Sequence, residues 1–499
     1  MSRLPAALLG CVLTLGAASA AENTPTAAEL PDMGGPAYVG LTKADEYQIG
    51  RMEQREIRDQ NLILDDAEVT DYLQQLGLRL ASQAGADGQN FQYLALNEPS
   101  INAFATFGGF VYVHSGLILL TSSEAQLASV MAHETGHVLQ RHMARAVQAE
   151  SRMSLASTAA MLAGILIAAA SGAGGQAMEG AMAMSQAVAL QQSINFTRSQ
   201  EVEADAVGIN LLARAGFDPM AMPAFFESLS RSEGLAEGEI PALLQDHPVT
   251  SERIATSRAR AAAYVNVSGE LRTAGPLEIP GSQSFDFMRE RVRVLTAPPE
   301  ASILQYYANL RERRSLTPSE RYGEALAQTR AGNARTAVRT LRELQADYPH
   351  LTMIYGTLGQ ALAAAGQPDA ALAYFEHSMK LFPRNVPLTV RYAETLMQVD
   401  KPRQAHELLL DLFNNIDPNP AQIRLTALAA SAAGDVGDAY YYMCEYDLSG
   451  GNLALASQQL ELALASPNLT NVQRQRFRAR LEQVRGWLRE QMQQRQGGR

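Results

Sequence analysis

MAHETGHVLQRH, residues 131–142, contains His133-Glu134-Thr135-Gly136-His137. With eight histidines in 499 residues, this His-Glu-x-x-His spacing arises by chance on the order of 0.01 times. Residues four apart share one face of a helix, so both imidazoles can reach a single ion. Glu134 stands beside the first ligand, where a carboxylate can take a proton from metal-activated water. Leu127, Val130, Met131, Val138 and Leu139 recur at helical intervals, and Thr121-Ser122-Ser123-Glu124 has the spacing of a capping box. The preceding run FGGFVYVHSGLILL, residues 107–120, reads as a strand region leading into that helix.

A metal centre needs a further ligand. Gly at 140 with His at 143 would complete one class of site, but Gln140 and Met143 occupy those positions. His142 is one residue too early and reads as structural. The candidate carboxylate lies in SQEVEADAVGINLLARAGFDP, residues 199–219, where Glu201 and Asp205 share a helical face. Glu201 can ligate, and Asp205 can accept a hydrogen bond from an imidazole N–H and fix its tautomer. Glu203 faces elsewhere. Upstream, Gly109, Phe110, Val111 and Tyr112 read as a substrate-binding strand that pairs with an extended peptide, or equally as ordinary sheet core.

The length predicts two or more domains. A formal net charge of -11 and a pI near 5.4 leave no basic footprint and exclude nucleic acid as a partner. MSRLPAALLGCVLTLGAASA, residues 1–20, has the Arg, apolar run and small-residue end of a signal peptide. A lipoprotein site at Cys11 and an uncleaved anchor are the alternatives. Loss of Cys11 leaves Cys444 alone, so no internal disulfide is expected. A lead-in follows over 21–40, then a metal-binding domain over 41–265, a linker and connecting helix over 266–303, repeats over 304–491 and a tail over 492–499.

The repeats rest on Ala337, Ala371, Ala405 and Ala439, spaced 34 residues apart, each after a turn sequence beginning near Gly332, Gly366, Val399 and Gly434. A 34-residue helix-turn-helix period resembles tetratricopeptide repeats. It predicts an α-solenoid with a concave face, to which Tyr440, Tyr441 and Tyr442 contribute unless they are core. Residues 154–190 are almost uncharged, but the apolar run 155–170 is short of the roughly 20 residues that span a bilayer. They read as a helical hairpin covering a cleft, turning at Gly172–Gly175 and lined by Met178, Met182 and Met184. A membrane-contacting hairpin is the alternative.

His133-Glu134-x-x-His137 and Glu201-Val202-Glu203-Ala204-Asp205, followed by Ala215-Gly216-Phe217-Asp218-Pro219 and Asp246-His247-Pro248-Val249-Thr250-Ser251-Glu252-Arg253, resemble the gluzincin family of the CAAX prenyl endopeptidases and the heat-shock membrane protease HtpX. The resemblance implies a mainly α chain: an α+β zinc-peptidase domain with a short sheet, followed by the α-solenoid. It implies one Zn2+ per chain held by His133, His137 and Glu201, with Glu134 as base and Asp205 supporting a ligand. His247 is implied as a removable fourth ligand that blocks the water site, and Arg253 as an oxyanion donor or a holder of that loop. With the signal peptide and repeats, the resemblance further implies a periplasmic endopeptidase with chaperone-like activity, either free or associated with the outer membrane. Its expected substrates are misassembled outer-membrane β-barrel proteins, and its expected partners the barrel-assembly complex and the lipopolysaccharide translocon. The alternative is a repeat-based scaffold that rarely cleaves.

Overall fold

The computed structural model describes residues 41–85, 90–149, 198–233, 241–267, 282–298 and 300–497. The expected signal peptide, lead-in and apolar hairpin, and most of the expected linker, lie outside these residues. Among the described residues no helix is long and apolar enough to cross a membrane.

The N-terminal part begins with α1 (Lys43–Asp59), set by a capping box between Thr42 and Asp45. Next comes α2 (Ala67–Ala81), whose N-cap Asp66 accepts from the Val69 N–H. Three short strands follow, β1 (Gln92–Leu96), β2 (Ala103–Ala105) and β3 (Phe110–His114), in the order β1-β3-β2. β3 is therefore central, parallel to β1 and antiparallel to β2. Phe104, Phe110, Tyr112 and Leu94 pack with Ile57 of α1 into one buried cluster.

This order corrects the substrate-strand reading. Both edges of β3 are hydrogen-bonded by neighbours, and Phe110, Val111 and Tyr112 are completely buried, as Gly109 is buried beside them. A peptide cannot add to a strand with no open edge, so Phe110, Val111 and Tyr112 are sheet core and Gly109 belongs to the buried turn before them. The outer strands are β1, which Ile63 bridges at Leu96, and β2. The strand reading of 107–120 was also too long, because Ser115–Leu120 forms the short helix α3. A continuous apolar run has no period that separates strand from buried helix.

α3 displaces the expected cap as well. Thr121 ends α3 and its hydroxyl donates to the Ile118 carbonyl, 2.8 Å away. The cap of α4 (Glu124–Leu139) is Ser123, whose hydroxyl accepts from the Gln126 N–H. After α4 come α5 (His142–Ala149), α6 (Arg198–Arg214), α7 (Ala221–Glu233), α8 (Ala242–Asp246) and α9 (Ser251–Val267).

Two helices, α10 (Ser282–Thr296) and α11 (Glu300–Arg313), lead into the repeats. First helices α12 (Pro318–Arg330), α14 (Thr352–Ala364), α16 (Val386–Gln398) and α18 (Pro420–Ala432) start 34 residues apart. Second helices α13 (Ala334–Asp347), α15 (Pro368–Leu381), α17 (Pro402–Phe413) and α19 (Val436–Ser449) keep the same interval. Gly332, Gly366 and Gly434 turn each pair at φ 84°, 77° and 83°, and Asp400 takes that place in the third turn at φ 58°. Ala337, Ala371 and Ala405 are fully buried where helices meet. The array ends with α20 (Leu453–Ala465) and α21 (Asn471–Gly497). Tyr440 and Tyr441 pack against its terminal core, where Tyr441 stacks on Phe477, so these two serve as core.

A buried ionic cluster joins the array to α2. Arg291 of α10 donates to both Asp66 carboxylate oxygens at 2.7 and 2.8 Å. Arg391 of α16 grips Glu68 at 2.8 and 3.0 Å and also reaches Asp66. Farther along, Arg51 of α1 donates to the Ser449 carbonyl at the end of α19.

Candidate metal centre

α4 supplies His133, Glu134 and His137, and α6 supplies Glu201 and Asp205. His247 follows α8, and Arg253 lies in the first turn of α9. All seven side chains are buried. Glycines let α4 and α6 approach closely enough to share a site. A Cβ on Gly136 would sit 3.0 Å from the Ala204 carbonyl oxygen, and one on Gly208 would sit 3.1 Å from the His133 backbone nitrogen.

His133 Nε2, His137 Nε2, Glu201 and His247 offer ligand atoms that all lie within 4.8 Å of one another. The two Nε2 atoms are 3.1 Å apart, and Glu201 places Oε2 3.4 Å from His133 Nε2 and Oε1 3.4 Å from His137 Nε2. Zinc–ligand bonds of about 2.0–2.1 Å in tetrahedral array separate ligand atoms by about 3.3 Å. His247 closes the group, with Nδ1 2.9 Å from Glu201 Oε1 and 3.5 Å from His133 Nε2. Two imidazoles of α4, a third from a loop and a carboxylate turn their electron pairs towards one point. The donor set and spacing fit a divalent transition-metal ion.

The surrounding contacts orient these ligands. His133 Nδ1 lies 2.9 Å from Asp205 Oδ1, so the ring donates there and keeps Nε2 free to ligate. Arg253 brackets the same carboxylate with Nε and Nη2 at 2.9 and 2.8 Å. Its Nη1 reaches the Pro248 carbonyl and Glu201 Oε2, at 2.8 and 2.9 Å. Every guanidinium nitrogen is engaged, so Arg253 ties the His247 loop to α6. Burial acts to raise the Asp205 carboxyl, but hydrogen bonds from His133 and Arg253 outweigh it and hold the group below its ordinary range.

His142 has a role that sequence reasoning missed. α4 stops at Leu139 and Arg141 adopts a left-handed conformation at φ 52°. The chain therefore turns back, and His142 is not on the helix that carries His137. Its Nδ1 lies 2.9 Å from His137 Nδ1, and its Nε2 lies 3.3 Å from Glu203 Oε2. One set of tautomers satisfies both contacts: His137 donates to His142, which donates to Glu203. Glu203 thus stays outside the ligand group, as expected, and anchors it from behind. The only sequence sign was a third histidine so soon after the motif.

Glu134 is buried next to the cluster. Burial lifts its carboxyl above the usual range, while His247, His133 and the Ala105 N–H of β2 partly oppose the shift. His247 Nε2 is 3.6 Å from Glu134 Oε1. The His247 loop rests on the start of β2, through Leu243 N–H to the Ile101 carbonyl and the Asn102 amide to Asp246, both at 3.0 Å.

A His-Glu-x-x-His helix completed by a carboxylate from a second helix, ahead of helical repeats, defines a gluzincin-type metallopeptidase with a repeat domain. Residues 67–261 match peptidase family M48, and residues 362–430 match a tetratricopeptide repeat family. The chain is 32% identical over 464 residues to the beta-barrel assembly-enhancing protease of Escherichia coli, covering 91% of each protein. It is 34% identical over 403 residues to the putative beta-barrel assembly-enhancing protease of Vibrio cholerae, covering 80% of each. The mitochondrial metalloendopeptidase OMA1 of Arabidopsis thaliana is 27% identical over 227 residues, 44% of this chain and 42% of its own. The chain belongs to the M48 metallopeptidases, among the relatives of the beta-barrel assembly-enhancing proteases.

Proposed function

We propose that this metallopeptidase is a periplasmic zinc endopeptidase that removes misassembled outer-membrane β-barrel proteins and aids their assembly. The observation that carries the reading is the convergence of His133, His137, Glu201 and His247 within 4.8 Å, with buried Glu134 alongside. Nitrogen and carboxylate donors in this number suit zinc. Bound there, zinc supplies a Lewis acid that acidifies water and polarises a peptide carbonyl.

Glu134 takes the proton of the attacking water and returns it to the leaving amine. Asp205 holds the His133 tautomer, and Arg253 holds Asp205 and the His247 loop. The His247 imidazole fills the space in front of Glu134, where attacking water must stand. Removing that loop is the opening step. Because the loop rests on β2, the same movement clears the edge strand beside Glu134, and an extended substrate backbone pairs there without a demand for one sequence.

The likeness to beta-barrel assembly-enhancing proteases supports outer-membrane β-barrel proteins as substrates, and the repeats supply a surface for the barrel-assembly complex and the lipopolysaccharide translocon. A scaffold that rarely cleaves has no use for a buried base beside a metal site, so Glu134 favours cleavage. The test is cleavage of an unfolded β-barrel protein, with zinc analysis of each variant. Glu134→Gln should keep zinc at the centre and lose on the order of 10²-fold or more in rate, while His247→Ala should cleave faster than the wild-type chain. Full activity of Glu134→Gln refutes the assignment of the base.

A further inference from the structure

A second group of metal-ligand side chains lies in the repeat array, far along the sequence from the peptidase motif. His406 projects from α17, Asp435 caps α19, and Asp438 lies in its first turn. One ligand atom from each falls within 4.8 Å of the others. This is not a surface patch of acids, since His406 and Asp438 are 6% and 4% exposed.

The histidine itself points to a ligand. His406 Nε2 is buried and has no hydrogen-bond partner. The nearest carboxylate oxygen, Asp438 Oδ2, is 3.6 Å away, too far for a hydrogen bond. A nitrogen and an oxygen bound to one ion at about 2.0–2.1 Å lie about 3.3 Å apart at the tetrahedral angle, so the gap suits a shared cation.

The other contacts leave these atoms available. Asp438 engages Arg476 and Gln473 through Oδ1 and keeps Oδ2 towards His406. Asp435 Oδ1 accepts from the Asp438 N–H at 3.0 Å and from Gln473 Nε2 at 3.2 Å. Asp435 Oδ2 accepts from Gln473 Nε2 at 2.9 Å, and this half-buried amide is the one contact an ion must displace. Two carboxylates against one guanidinium leave a net negative charge. One repeat earlier, 34 residues back, the equivalent positions hold Leu372, Lys401 and Gln404. The cluster is thus peculiar to this junction and is no product of the repeat pattern.

We propose that His406, Asp435 and Asp438 form a second binding site for a divalent transition-metal ion, which braces α17 against α19 near the end of the array. Three protein ligands leave room for water or for one donor from outside. The ion adds a cross-link between two consecutive repeats, whose cohesion otherwise comes from packing between neighbours.

The test uses the full chain stripped of metal and titrated with Zn2+ by calorimetry. The wild-type chain should take two equivalents, His406→Gln one, His133→Ala one, and the double variant none. Asp435→Asn should weaken the repeat site at least tenfold, and circular dichroism checks that each variant stays folded. A zinc-dependent rise in melting temperature should persist in His133→Ala and vanish when His406→Gln is added. His406→Gln should keep wild-type peptidase activity when loaded with zinc. If His406→Gln binds as many equivalents as the wild-type chain, or His133→Ala binds none, the second site is refuted. If only the equivalent lost in His133→Ala is missing, the peptidase centre fails and the repeat site stands.

Discussion

Replacing Arg391 by alanine should loosen the joint between the repeat array and the peptidase domain. Arg391 and Arg291 face Asp66 and Glu68 in a nearly dry pocket, where all four residues are under a tenth exposed. The four buried charges balance two against two, and Arg391 Nη1 also holds the partly exposed Glu394 at 2.8 Å. Burial acts to raise the Asp66 carboxyl, but Arg291 and Arg391 outweigh it and hold the group well below the usual carboxylate range. Without Arg391, two buried carboxylates share one guanidinium and one negative charge is left without a partner. Breaking a buried pair in this way costs about 3–5 kcal/mol. Urea unfolding, followed separately by a fluorophore in the array and by metal retention, measures the loss and whether the two parts still unfold together. The double variant Arg391→Met with Glu68→Leu should recover much of the loss, because both charges leave at once. A loss under about 1 kcal/mol for Arg391→Ala, with no coupling to Glu68 in a double-mutant cycle, would falsify the idea of an ionic joint.

Three further outcomes are expected. Gly136→Ala should weaken metal binding and cost about 1–3 kcal/mol by overpacking, because its Cβ would press on the backbone of α6; unchanged zinc affinity and melting temperature would contradict the close approach. Asp205→Asn should lower zinc affinity by about 10–100-fold, read by competition with a chelator, and an unchanged affinity would remove Asp205 from its supporting role. Glu53 of α1 is buried, and burial, opposed only in part by the Thr106 hydroxyl, raises its pKa from 4.5 to about 8. Between those values the folded chain keeps a proton that the unfolded chain has lost, so stability falls as pH rises from about 4.5 to 8. Glu53→Gln should flatten that fall, and parallel pH profiles for the two proteins would refute it.

The candidate metal cluster was legible because helical periodicity is local. His133 and His137, and Glu201 with Asp205, are each four residues apart, which fixes a shared face before any tertiary contact is known. The repeats were legible for a related reason, since one interval recurs in both helix starts and turns. What failed depended on contacts distant in sequence. No feature of Phe110-Val111-Tyr112 tells that β1 and β2 take both of its edges. The cap moved from Thr121 to Ser123 because α3 claims Thr121 first. His142 was placed by extending a helix that Arg141 in fact ends, so its contact with His137 stayed hidden.

The letters written x in His-Glu-x-x-His are usually treated as blanks, yet here both are filled with purpose. The Thr135 hydroxyl bonds the Tyr93 hydroxyl of β1 at 2.8 Å, and Gly136 lies against Ala204 of α6. One letter moors the motif to the sheet and the other sets its distance from the helix that brings Glu201. A designer who grafts only the two histidines and the glutamate would transplant the reagents without the ruler that spaces them.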